Sequence, residues 1–133
     1  MSKSSAPTPA SSHFDEWVSD EFARTEGFTA LVVLVAIRDL SVTPLRSTFF
    51  HIVGDDIDWT RVSAMFAGAG VGWDGAVFHA RSAGGAGPLS DEDARAALRV
   101  IEREIMADRM TINDGHFFDN WGRRMKIEEA QPQ

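Results

Sequence analysis

FTALVVLVAI, residues 28–37, is the strongest apolar run in the chain. It falls far short of the ~20 residues that cross a bilayer as a helix, so it belongs in a protein core. It is rich in valine, leucine and isoleucine and shows no alternation of apolar with polar residues. That pattern predicts a strand buried on both faces, over residues 28–38.

On its N-terminal side, SHFDEWVSDEFARTEG opens with Ser12, carries Asp15 three residues later and places Phe14, Trp17, Val18 and Phe22 at helical spacing. An imperfect capping box, this stripe and a stop at Gly27 predict a helix over 13–25. On its C-terminal side, SVTP at 41–44 reads as a break, since Pro44 disfavours a central strand position. STFFHIV at 47–53 reads as a second strand. Asp56 or Asp58 caps a helix to about Ala67, with Trp59, Val62 and Phe66 buried and Gly68 or Gly70 ending it.

A glycine-loosened strand over 71–81 follows, then the loop SAGGAGP. Ser90 next caps the clearest helix, 91–108, where Ala94, Leu98, Ile101 and Ile105 recur at spacings of four, three and four. The order of elements predicts an α+β fold: a two-layer sandwich, a mostly antiparallel sheet with two or three helices packed on one face.

With 133 residues, 44% hydrophobic and 25% charged, the chain reads as a single domain over 13–129. Residues 1–12 are small, polar and proline-rich, without the apolar centre of a secretory signal; they and 130–133 are expected to be flexible tails. Thirteen basic against 20 acidic residues give a net charge of −7, which repels nucleic-acid phosphates. The absence of cysteine excludes disulfides, thiolate metal sites and cysteine nucleophiles, and fits a cytoplasmic location.

Several chemistries can be assembled from the residue types. Gly70, Gly72 and Gly75 spell G-x-G-x-x-G, but the pattern follows a helix and enters a strand, the reverse of a dinucleotide site. Gly84, Gly85 and Gly87 precede a helix whose first turn already holds Asp91, Glu92 and Asp93, which disfavours a bound phosphate. No serine lies in a G-x-S-x-G elbow. The best acid-base candidates are His51 with Asp55, Asp56 and Asp58, joined across the sheet by His79, which could pair as base and orienter or ligate a divalent metal. Acidic residues before a helix are also what capping favours.

The stretch NDGHFFDNWGRRMKIEE, 113–129, reads as a strand pair around a turn at Asp119 to Gly122. With Asn120 and Trp121 central, Phe118 pairs with Arg123, Phe117 with Arg124 and His116 with Met125. One face of that ribbon then closes the core with His116, Phe118, Met125 and Ile127. The other presents Phe117, Arg124 and Lys126, with Trp121 at the tip, as a contact surface of aromatic and basic residues.

The first functional expectation is therefore a non-enzymatic cytoplasmic module that binds a protein partner or itself, as a homodimer or larger homo-oligomer. It needs no cofactor, metal, nucleic acid or membrane. The alternative is a small hydrolase or lyase using His51 and His79 with Asp55 or Asp56, with or without a divalent metal. A nucleic-acid module acting through Arg123, Arg124 and Lys126 is the weakest reading, because three cations stand against a net −7.

Overall fold

The computed structural model describes residues 12–39, 41–54, 56–84 and 86–128. Apart from Ser12, the expected tails lie outside the described residues. Among these residues three helices, α1 (His13–Thr25), α2 (Trp59–Ala67) and α3 (Asp91–Ala107), accompany five strands. These are β1 (Phe28–Arg38), β2 (Ser41–Ile52), β3 (Gly75–Arg81), β4 (His116–Phe118) and β5 (Arg124–Met125). They form one sheet in the order β2-β1-β3-β4-β5, every neighbouring pair antiparallel. A 3-10 helix, Arg109–Asp114, sits between α3 and β4.

The fold is an α+β sandwich, with α1 and α2 together on one face of the sheet. There Phe28, Ala30, Val32 and Leu34 of β1 meet Phe14 and Trp17 of α1 and Trp59, Val62 and Phe66 of α2. The rings interlock around Phe14, whose centroid lies 5.1 Å from Trp59, 4.9 Å from Phe78 and 5.4 Å from Phe118. The third helix departs from the expected two layers. Leu31, Val33 and Val35 point to the other face, where Leu98, Ile101 and Ile105 of α3 and Ile112 of the 3-10 helix cover them. The reason lies in β1 itself: residues 28–36 are all buried, and a strand apolar on both faces needs a layer over each.

The caps follow the sequence. Ser12 and Asp15 complete a reciprocal box on α1, Asp58 caps α2 through Arg61 N–H, and Ser90 caps α3 through Asp93 N–H. Two expectations about the strands need correction. The SVTP stretch is no break: β2 runs through Pro44 as an edge strand, with a register irregularity opposite Leu34 and Val35 that leaves Leu45 unpaired. An edge position tolerates a residue without an N–H.

The C-terminal ribbon is one residue out of the expected register. Phe118 pairs with Arg124 and Phe117 with Met125, because the loop holds three residues, Asn120 to Gly122, with Gly122 at φ 76°. Phe117 and Phe118 are both buried, on opposite faces, so Phe117 is a core residue beneath α3 and no part of a contact surface. Gly75 makes room for it, since a Cβ there would stand 2.4 Å from Phe117 Cε1.

Truncating the ring at the centre of the first face, Phe14→Ala, is expected to destabilise the chain by about 3–5 kcal/mol. Urea unfolding checks this. A loss below about 1 kcal/mol would show that the aromatic cluster does not hold α1 to the sheet.

Candidate interaction surface at the hairpin tip

The β4–β5 hairpin projects from the edge of the sheet beside the start of α1. Its tip is organised by one carboxylate. Asp119, 8% exposed, accepts hydrogen bonds from Trp121 N–H at 2.8 Å, Arg123 N–H at 2.9 Å and Arg123 Nε at 2.7 Å. Burial alone would raise its pKa, but these backbone and guanidinium donors outweigh it and hold the carboxyl below the usual aspartate range. The strand pairing closes with Asp119 N–H donating to Arg123 O.

Both neighbouring helices grip the same loop. Trp59 Nε1 of α2 donates to Asn120 O at 2.9 Å, and Phe14 N–H of α1 donates to Gly122 O at 3.0 Å. Asn120 Nδ2 reaches Trp73 O, and Asp15 joins the two helices by accepting from Trp59 N–H at 2.7 Å. Gly122 is required twice over: its φ is positive, and a Cβ would lie 2.8 Å from Trp59 Cγ.

On this fixed loop Trp121 is 67% exposed, with the Arg123 guanidinium 5.0 Å from its ring centre. Arg124 and Lys126 are exposed alongside. Arg124 lies across Phe118 at 5.0 Å, donates from Nη1 to His116 Nδ1 at 3.1 Å, and donates its backbone N–H to His13 Nδ1 at 2.8 Å. Burial and then Arg124 push the pKa of His116, its ring 4.8 Å from Trp17, below the usual histidine value, against the opposing pull of Glu21. A 250 Å³ hollow beside Arg124 is lined by His13, Glu16, Trp17 and Asp20. The arrangement offers a rigid aromatic anchor, a guanidinium on its face and two further cations.

The acid-base candidates lie elsewhere and apart. His51, on β2, accepts from the Thr29 hydroxyl at Nδ1 and faces Asp91 Oδ1 at 2.9 Å through Nε2. Thr29 in turn accepts from Leu89 N–H. This relay superficially resembles a hydroxyl-imidazole-carboxylate triad, but Thr29 is fully buried and cannot meet a substrate. It ties the edge strand to the start of α3.

Asp56 is exposed, 4.0 Å from Arg61, and Asp55 lies outside the described residues. His79 shares the sheet face of His51 but sits on β3, with β1 between them. Among the described residues no group of three or more His, Asp or Glu could hold a metal ion. No helix among them is long and apolar enough to cross a membrane.

Asp119, His116 and His13 escaped the sequence reading as members of one constellation. The D-N-W-G turn signature contained Asp119, but the convergence of α1 on the hairpin had no local signal. No protein-family model matches the chain, and neither a curated protein nor a solved structure does.

Burial, helped by Arg81 and His116 and opposed by Asp114, pushes His79 down from 6.5 to about 4. Between those values the unfolded chain binds a proton that the folded chain refuses. Stability is therefore complete above the unfolded value and is lost as pH falls through this window. The expected loss between pH 7 and pH 5 is on the order of 1–2 kcal/mol, read by urea unfolding, with His79→Gln flattening it. An unchanged slope in that variant would assign the pH dependence to other groups.

Proposed function

We propose that this chain is a non-enzymatic protein-interaction module whose recognition element is the β4–β5 hairpin tip. One observation carries the reading: Trp121 is held two-thirds exposed on a loop that Asp119, Trp59 and Phe14 fix from three sides. An aromatic ring that large is left in water at a free-energy cost, and fixing its backbone beforehand lowers the entropy lost on binding. The partner surface supplies an apolar recess for Trp121 and carboxylates for Arg123, Arg124 and Lys126. A second copy of this chain, acidic overall, meets the electrostatic need, as does an unrelated acidic protein. Phosphate polyanions are disfavoured by the net charge of −7.

Thermal melting and sedimentation of Phe118→Ala, Trp121→Ala and Lys126→Glu separate packing from recognition. Phe118→Ala should melt early, having lost about 3–5 kcal/mol. The other two should melt like wild type, and Trp121→Ala should weaken association by about 2 kcal/mol or more, roughly thirtyfold. The readout is concentration-dependent sedimentation, or retention of a partner on a column of immobilised chain. A wild type that stays monomeric and retains nothing that Trp121→Ala fails to retain would overturn the proposal.

A further inference from the structure

The opposite edge of the sheet is β2, and the direction of its free backbone groups can be worked out. Ile37 N–H points away from β2 to Asp74 Oδ2 at 2.7 Å, and Val35 O accepts from Asp74 N–H on the same side. Backbone direction alternates along a strand, so even-numbered residues of β1 bond β2 through Ala30↔Phe50, Val32↔Thr48 and Leu34↔Arg46. Ser47, Phe49 and His51 therefore turn their N–H and C=O outward. Among the described residues these groups have no backbone partner. Pro44 and the irregularity at Leu45 blunt the first half of the edge, and the second half has no such protection.

Both flanks of that open half are shaped. On the α1/α2 side, Leu34, Thr48, Met65, Phe66 and Ala69, with Arg46 and Ser47 of β2 itself, line a 330 Å³ hollow. On the α3 side, Ser47 Oγ donates to Glu102 and Arg95 lies 5.6 Å over Phe49, bringing the flank of α3 to the same edge. Arg95, Arg99 and Arg103 recur there every four residues. Among the described residues none of the three forms an ion pair. Of the neighbouring carboxylates, Glu102 is taken by Ser47 and Asp91 by His51.

A strand added to this edge would send alternate side chains to the two flanks. We infer that β2 accepts an extended acidic peptide segment of a partner protein by strand addition. Its apolar residues enter the Leu34–Phe66 hollow, and its alternate carboxylates meet the arginine row of α3. The site lies across the sheet from the hairpin tip and does not depend on it.

The test uses the isotope-labelled full chain and a capped peptide of roughly nine residues alternating valine and glutamate, the length of a long strand. Titration should shift the amide resonances of Ser47, Phe49 and His51 and slow their hydrogen exchange by about tenfold or more, leaving Trp121 unmoved. The same peptide N-methylated at alternate residues should not bind, since it cannot form the ladder. Lysine in place of glutamate, or Arg99→Glu with Arg103→Glu in the chain, should weaken binding by about tenfold.

Four results would each overturn the inference. The first is edge amides that do not respond at millimolar peptide, and the second is a lysine peptide that binds equally well. Shifts could be confined to the hairpin tip. Finally, Ser47, Phe49 and His51 could already be protected without peptide, because the edge would then be covered by this chain or by a second copy.

Discussion

Nine consecutive buried residues in β1, Phe28 to Ala36, set the terms for the rest of the molecule. A strand this apolar cannot leave either face in water, so the sheet must be covered twice. The even-numbered side chains take the aromatic layer of α1 and α2, and the odd-numbered ones take the aliphatic layer of α3. Those layers divide the chemistry as well as the space. Rings dominate one side, and branched aliphatic side chains dominate the other. Phe117 and Phe118 follow the same division, one to each face, because they extend a sheet already covered on both.

With both faces of the sheet covered by helices, its unpaired backbone groups lie, among the described residues, at its edges. At one edge the hairpin ends in a loop held by Asp119 from within and by Trp59 and Phe14 from the two helices of the aromatic layer. The aromatic core is thereby connected directly to the conformation of the exposed tip. At the other edge, His51 links the buried Thr29 hydroxyl to Asp91 at the start of α3, which secures the edge strand to the aliphatic layer.

Most of the secondary structure was legible. Helix caps at Ser12, Asp58 and Ser90, and the stripes Trp59–Val62–Phe66 and Ala94–Leu98–Ile101–Ile105, are local signals, and local signals survive in a sequence. The doubly buried character of β1 was legible too, and its consequence, a third layer, followed from it but ran against the expected two-layer plan. Pro44 misled because its tolerance depends on lying at an edge, which is a property of the whole sheet. The ribbon misled through a single residue: a three-residue loop in place of a two-residue turn puts the β5 side chains on the opposite face relative to β4, Met125 beside Phe117 and Arg124 over Phe118. Phe117 keeps its expected face, opposite Phe118, and is buried because α3 covers that face. Trp121, Arg124 and Lys126 are exposed, as the turn at 119–122 and the polar side chains after it suggest. His51 and His79 could be placed on strands from sequence, but the intervening β1 that keeps them apart could not.

Recognition through Trp121, as proposed, requires that its exposed ring stand on a preorganised tip. Backbone and indole nitrogen-15 relaxation of the free chain tests it most directly. Order parameters for residues 119–123 are expected close to the rigid-backbone value of about 0.85, matching those of β1. Values below about 0.6 at the tip, with β1 rigid, would contradict it.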